Sequence, residues 1–289
     1  MTPQIKLNSP QLLYTLLLLS CLNLGFSQSK IKGNRDVKLE QTSLSEFNTL
    51  SIGSDLEVVL IKSDFPSVTV EADSNLQPVI QFKVKDSILN FEVTKRVTSS
   101  KEFKVTVRYT EALRNIVLNN DVEVEAENDI RLPELNLTLN NDAKIEANIF
   151  TDKFMLLNKN DSALKLFTNC ILKVECKNGF IDVRENSNNI VDINTEELHI
   201  KTQDSGELNI EGFAYTLFVD ATNRSTVEAK NLLTNVIAVK AAEKSAVIVN
   251  ASESIKIDAS GSSTIELYGE PKIEIDNFKN EAALEKKEL

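Results

Sequence analysis

The chain has 289 residues, a formal net charge of −11 and 42% hydrophobic residues. That length is enough to bury a sizeable core in one elongated domain. The acidic balance disfavours nucleic acid and anionic membrane surfaces as partners, because both attract Lys and Arg side chains.

Residues 1–27 are predicted to be an export signal. Lys6 supplies a positive start, residues 12–24 are apolar, and residues 25–27 offer a small-residue cleavage site. The apolar stretch is too short to span a bilayer comfortably, and no later segment approaches about 18 apolar residues. Residues 18–21 also resemble a lipoprotein box that would lipidate Cys21, but the apolar run continues past Cys21, which favours ordinary cleavage. The mature chain is expected in the periplasm, on the outer-membrane surface or outside the cell, without a transmembrane segment.

Residues 28–43 form a polar lead-in, and residues 44–112 form an N-terminal β section. Apolar and polar residues alternate at 56–60 and 67–71, and a hairpin is predicted over 79–93. These strands lack the spacing of the segment that follows. We expect them to form an antiparallel section that caps one end of it, because a bare stack exposes core and unpaired strand edges.

Residues 113–275 repeat one pattern about every 20 residues, which is typical of a parallel β-helix or solenoid. Each repeat has a small polar turn residue, predicted at Asn120, Asn141, Ser162, Gly179, Asp204, Ser225, Ser245 and Ser263. Apolar residues follow two and four positions later, as in Val122 and Val124 or Val227 and Ala229. This alternation predicts strands with one buried face.

The chain has only eight Gly residues, so Asn and Asp are expected to supply many turns. Asn-Asn-Asp runs at 119–121 and 140–142 fit that role, and calcium binding is disfavoured because closely spaced Gly and Asp are missing from the turns. Cys170 and Cys176 share strand parity with apolar neighbours and are predicted to be buried free thiols. Residues 276–289 are expected to be a charged tail of helical or disordered character.

Several short runs resemble the head GIN domain family, whose members are described as auto-transporter adhesins. They are FNTLSI at 47–52, EVVLI at 57–61, SVTVEAD at 67–73 and ASGSS at 259–263. The resemblance covers roughly residues 42–275. It implies an exported bacterial envelope protein with a β-helical body, and it brings no catalytic residues. The Asn-Asn-Asp turns depart from the family's Ser- and Gly-rich turns.

No zinc-ligand spacing, phosphate-binding Gly loop or serine-nucleophile elbow is present, and no metal or cofactor is expected. The single histidine, His199, is predicted to be a surface residue of a strand. Outward acids form a column mixed with Lys144 and Lys165, which is typical of a solvated face. They are Glu123, Glu125, Glu146, Asp182, Glu207, Glu228 and Glu266. We therefore expect no enzyme activity.

Aromatic residues mark the candidate binding surface: Phe167 and Phe180, with Phe150 and Phe154 before them, and a second cluster at Phe213, Tyr215 and Phe218. The alternative is that these rings cover solenoid corners. The sequence thus predicts an exported, non-catalytic, adhesin-like recognition module. Its partner would be a glycan or an envelope or cell-surface protein. A structural envelope protein without a specific ligand, or a carbohydrate-active enzyme, are the alternatives.

Overall fold

The structure is a computed structural model that describes residues 29–53, 56–141, 143–159 and 169–288. The expected export signal, Cys21 and the predicted turn at Ser162 lie outside the described residues. The described chain is almost entirely β-strand, with one short 3-10 helix at Gln77–Val79. None of its helices is long and apolar enough to cross a membrane.

The strands fall into an N-terminal group and a long stacked group. The first group is β1 (Lys30–Lys32), β2 (Val37–Ser43), β3 (Thr49–Ile52), β4 (Glu57–Lys62), β5 (Ser67–Asp73), β6 (Ile80–Lys85), β7 (Ile88–Val93), β8 (Arg96–Ser99) and β9 (Phe103–Tyr109). The stacked group begins with β10 (Asn115–Asn119), β11 (Glu123–Ala126), β12 (Ile130–Arg131), β13 (Glu134–Asn140), β14 (Lys144–Phe150), β15 (Lys153–Lys159) and β16 (Asn169–Glu175). It continues with β17 (Asn178–Arg184), β18 (Asn188–Gln203), β19 (Glu207–Ala221), β20 (Thr226–Ala241), β21 (Ala246–Ala259), β22 (Thr264–Tyr268), β23 (Lys272–Phe278) and β24 (Ala283–Lys286).

Parallel pairing builds two walls that share one core, which confirms the predicted β-solenoid. Wall A stacks β3, β10, β13, β15, β17, the second halves of β18 to β21, and β23. Wall B stacks β4, β11, β14, β16, the first halves of β18 to β21, then β22 and β24. A Cβ on Gly179 of wall A would meet Ile193 of wall B, so side chains of the two walls interdigitate. Each coil uses its neighbours to bury its apolar side chains.

Inward columns follow the predicted alternation. Leu208, Val227, Val247 and Ile265 lie in one register on wall B, and all four are buried. Because side chains alternate between the two faces of a strand, the residue that follows each of these four faces solvent. The inward parity assigned from the sequence to these coils is therefore confirmed.

Gly179 is not a turn residue, although the sequence pattern predicted one there. It lies within β17, in register with Phe154 and Leu198, and it is buried. A Cβ at this position would press against the Leu198 and Ile193 side chains. The turn of this coil is made at Glu185, whose φ is +55°.

The other described turns fall at the predicted residue or one or two residues before it. Asn120, Asn141 and Asp204 do have left-handed φ values, as expected for Asn and Asp. The predicted turn residues Ser225, Ser245 and Ser263 are instead buried just after the turns. In those coils the residues with left-handed backbone lie one or two positions before the serines: Asn223, Arg224, Glu243 and Gly261.

Parallel stacking begins earlier than residue 113, where the sequence pattern placed its start. The strands β3 and β4 pair in parallel with β10 and β11, and also with β7 and β9. The expected antiparallel section is present as the pairs β2–β5, β5–β9 and β6–β7. The repeat spacing is hidden in the sequence because strands β5 to β9 are inserted in the chain between two coils that are adjacent in space.

Asp73 ties this N-terminal section together from a fully buried position. Its carboxylate accepts backbone N–H groups from Arg35 at 2.9 Å, Lys101 at 3.2 Å and Glu102 at 3.4 Å. Burial acts to raise the pKa of Asp73, but these donors and the charge of Lys101 outweigh it, so the pKa lies below its ordinary value. The charged form of Asp73 therefore stabilises this section.

The segment expected as a helical or disordered tail continues the stack instead. Strand β23 extends to Phe278, and β24 pairs with β22. Ile273 and Ile275 continue inward columns but are 43% and 52% exposed, because no described strand packs beyond them. The parallel stack therefore continues past residue 275, through β24.

Candidate functional site

One outward row on wall A carries three exposed large hydrophobic side chains and the single histidine. In register along successive coils lie Met155, Phe180, His199 and Phe218, which we call the aromatic column. Met155 is 45% exposed, and Phe180 and Phe218 are each 37% exposed. The column forms because parallel coils place equivalent residues about 4.8 Å apart along the solenoid axis.

The rings of His199 and Phe218 stack face to face. Their centroids are 4.4 Å apart and their planes are inclined by only 13°. The His199 Nε2 atom also lies 2.9 Å from Glu197 Oε1, which holds the imidazole in this orientation. His199 lies outward as the alternation predicted, but its stacking partner was not foreseen, because parity alone does not give the register between coils.

The four aromatic residues singled out from the sequence do not form one surface. Phe180 belongs to the aromatic column, and Phe167 lies outside the described residues. Phe154 is only 3% exposed and points inward on β15, so its ring is not available to a ligand. Phe150 ends β14 on wall B, where the Arg131 guanidinium lies 4.0 Å above its ring.

The second aromatic cluster is divided between a corner and wall A. Phe213 and Tyr215 are 39% and 50% exposed near the corner of β19, and Leu233 lies beside Phe213 in the next coil. The expectation that aromatic residues cover corners fits these two rings. Phe218 instead belongs to the aromatic column.

A charged row runs alongside the aromatic column on wall A. Asp220, Lys240 and Asp258 lie in register, and Lys240 Nζ is 3.9 Å from Asp220 Oδ2. Lys256, in the same row as Phe218, lies 2.9 Å from Asp276. The hydrogen bond to Asp276 and the charge of that carboxylate raise the pKa of Lys256, so it stays positively charged.

These two rows border a shallow concavity of about 380 Å³. Its floor includes Ala238, and its sides include Phe218, Lys240 and Lys256. An apolar ring face beside hydrogen-bonding groups of both charges can stack on a ligand and orient it.

The outward acids that the sequence placed in one column are divided between the two walls. Asp182 lies on wall A, is only 5% exposed and accepts two bonds from Arg184 at 2.9 and 2.5 Å, so it is not part of the acidic column predicted from the sequence. Glu123 is on wall B, where Lys144 Nζ lies 2.7 Å from its carboxylate. Among the described residues, no group of three His, Cys, Asp or Glu side chains could hold a metal ion.

Cys176 is a free cysteine that is half-buried at a corner. Its thiol lies 3.5 Å from Thr195 Oγ1. Burial raises the pKa of the Cys176 thiol, and the hydrogen bond to Thr195 only partly offsets this. The thiol is therefore a poor nucleophile. The predicted burial of the Cys170 side chain lies outside the described part of the chain.

Solved structures with the same fold come from two Parabacteroides species. A "putative adhesin" from Parabacteroides merdae is 16% identical, with a TM-score of 0.65 over 90% of this chain and 99% of that chain. A "putative adhesin" from Parabacteroides distasonis is 17% identical, with a TM-score of 0.63 over 89% and 100% of the two chains. A "putative lipid binding protein" from Parabacteroides distasonis is 15% identical, with a TM-score of 0.59 over 90% and 100%.

No curated protein matches the chain. The sequence does match a family described as "Putative auto-transporter adhesin, head GIN domain", over residues 46–172 and again over residues 168–271. The two matches together span most of the solenoid and most of its N-terminal section. The chain belongs to the head GIN domain family of adhesin-like proteins.

Proposed function

We propose that this protein is an exported, non-catalytic recognition module of the bacterial cell envelope, which binds its partner through the aromatic column on wall A. The exposed stack of His199 on Phe218, with Phe180 in the next coil, is the observation that carries the proposal. Aromatic rings are costly to leave in water on a flat sheet, and they are enriched where proteins bind partners. The family description as adhesins supports the same reading.

The geometry favours recognition over catalysis. Flat parallel walls present regular rows of side chains, while catalysis by a carbohydrate-active enzyme needs two carboxyl groups facing each other across a substrate. The nearest acids of wall A, such as Asp220 and Asp258, lie beside Lys240 in one row. Such a row suits the orientation of a bound surface molecule.

The test is capture of a partner by the purified protein. Biotinylated protein would be applied to a glycan array and to intact bacterial and epithelial cells, in parallel with a variant carrying Phe180→Thr and Phe218→Thr. Thr keeps strand propensity on the outer face, so the fold is expected to persist. Ile190→Thr, which removes an apolar side chain that is 51% exposed on wall B, is the matched control.

We expect saturable capture that the double variant loses and the Ile190→Thr control keeps. Equal capture by all three proteins would refute the assignment of wall A. The absence of any capture would instead favour a structural envelope protein without a specific ligand.

Location is tested separately, by protease shaving of intact cells that express the native protein, with fractionation alongside. Cleavage without lysis supports direct adhesion at the cell surface. Full protection until the outer membrane is opened supports a periplasmic recognition role and contradicts direct adhesion.

A further inference from the structure

The aromatic column stops at a gap. The next residue in its row after Phe218 is Ala238, and the one after that is Lys256. Two coil steps separate the levels of Phe218 and Lys256, which is about 10 Å, and only a methyl group occupies the level between them. We call the space above Ala238, between Phe218 and Lys256, the slot.

The slot has the height of one flat ring. The His199 ring already covers one face of Phe218, with a centroid distance of 4.4 Å. The opposite face of Phe218 is directed along the axis toward the level of Ala238. A ring stacked on that face at a similar distance would lie at the level of the missing side chain, with Lys256 beyond it.

We propose that the slot binds one pyranose ring of a carbohydrate, which replaces the missing side chain and extends the aromatic stack. This inference rests on the proposed function, and it adds the ligand class and the position of the bound unit. A pyranose has one face of C–H bonds, which packs on an aromatic ring, and a rim of hydroxyl groups. The slot offers a partner for each: the Phe218 ring for the C–H face, and the charged side chains beside it for the hydroxyl groups.

The rim of the slot carries donors and acceptors on one side. Asp220, Lys240 and Asp258 stand two positions along from Phe218, Ala238 and Lys256 in the same strands. Lys240 contacts Asp220 only at 3.9 Å, so its ammonium group retains donors for a hydroxyl. Asp258 accepts the Asn277 side-chain amide at 3.0 Å, which orients its carboxylate at the edge of the slot.

This mixture of groups favours a sugar over an aromatic side chain of a partner protein. An aromatic side chain would be satisfied by the Phe218 face and needs few polar neighbours. A charged rim of three residues would stay poorly paired against it, at a cost in desolvation. Hydroxyl groups can bond to carboxylate and ammonium groups alike.

The test uses the purified full chain and a panel of methyl glycosides: glucose, galactose, mannose, N-acetylglucosamine and rhamnose. Binding is measured by saturation-transfer NMR and by titration of backbone amide shifts. Ala238→Phe fills the slot with a ring that continues the stack. Ala246→Phe makes the same change on the outer face of wall B and is the matched control.

We expect at least one methyl glycoside to bind the wild type, with saturation transfer strongest to the C–H protons of one sugar face. Ala238→Phe should abolish binding, and Ala246→Phe should leave it unchanged. Phe218→Leu keeps an apolar side chain but removes the ring face, and it should weaken binding about five- to tenfold. Thermal midpoints of both Phe variants near the wild-type value confirm folding.

Two results overturn the proposal: binding that survives Ala238→Phe, or no binding of any glycoside to the wild type. The proposed function can stand when this inference fails. Surface capture that still depends on Phe180 and Phe218, without glycoside binding, refutes the sugar slot alone and points to a protein partner. Loss of both capture and glycoside binding refutes both proposals.

Discussion

The strongest test of the solenoid register compares two Val→Ala changes in one long strand. Val227 and Val236 both belong to β20, but Val227 is fully buried on wall B and Val236 is half-buried on the outer face of wall A. Both changes remove two methyl groups and both lower strand propensity by the same amount. The difference between them therefore reports burial.

The magnitude follows from the packing of Val227. It is 0% exposed and lies between Leu208 and Val247, which are also buried. At about 0.8 kcal/mol per buried carbon, two methyl groups contribute about 1.6 kcal/mol, and the cavity between rigid coils raises the loss to about 2–3 kcal/mol. Val236→Ala should cost about 0.5 kcal/mol.

Urea unfolding followed by far-ultraviolet circular dichroism is the appropriate assay, because the chain has no Trp for fluorescence. We expect Val227→Ala to lower the unfolding midpoint clearly with an unchanged slope, and Val236→Ala to leave it near the wild-type value. Equal losses of stability in the two variants, or a larger loss for Val236→Ala, would show that the inward and outward residues of β20 are wrongly assigned.

Three further outcomes are expected. Asp73→Asn should flatten the acid limb of the stability curve, as urea titrations between pH 2 and 7 would show. Because folding lowers the pKa of Asp73, the stability that its carboxylate contributes is complete above the unfolded pKa near 3.8 and is lost as pH falls through the lower folded pKa. Gly212→Ala should lower the free energy of unfolding by more than about 1 kcal/mol, since φ is +108° and a Cβ would collide with the Ile193 carbonyl. The control Gly53→Ala places a Cβ in open space and should be neutral in the same urea titrations. Cys176 should react with iodoacetamide more slowly in the native protein than in urea, as read by peptide mapping; equal rates would contradict its burial.

Alternation in the sequence was sufficient to predict the core of the regular coils. Val227, Val247 and Ile265 have the parity that the pattern assigned, because a strand buried on one face must alternate. The turn prediction failed where a glycine serves packing rather than a turn. Gly179 signals a turn in isolation, but here its missing side chain makes room for Leu198 and Ile193.

The start and end of the stack were harder to predict for a different reason. A repeat is recognised in sequence only if its copies are adjacent in the chain. The coil of β3 and β4 is separated from β10 and β11 in the chain by strands β5 to β9, so it escapes a search for a fixed spacing. The predicted solenoid stopped at residue 275, but β23 runs to Phe278 and β24 follows it. This last stretch was interpreted as a tail because it is rich in charged residues.

The candidate site needed the register between coils, which the sequence pattern left imprecise. Phe180 was singled out as an outward aromatic, but its row-mates His199 and Phe218 were assigned to other groups. Coil lengths vary through bulges, such as the one between Asn209 and Gly212, so a row cannot be traced by counting a fixed number of residues. One residue of error would move a side chain to the other face.

Strand parity also separates stability from recognition in this fold. Inward residues such as Val239 and Ile257 hold the coils together, while their outward neighbours Ala238 and Lys256 can change without disturbing the core. Along wall A the outer row passes from Asn115 and Asn136, which bond to each other at 3.0 Å, to the aromatic column and then to the slot. A solenoid can therefore carry different surface chemistry on each coil while its core pattern stays constant. For this reason substitutions at Phe218 or Ala238 are expected to change binding with little effect on the melting temperature, and substitutions at Val227 to do the reverse.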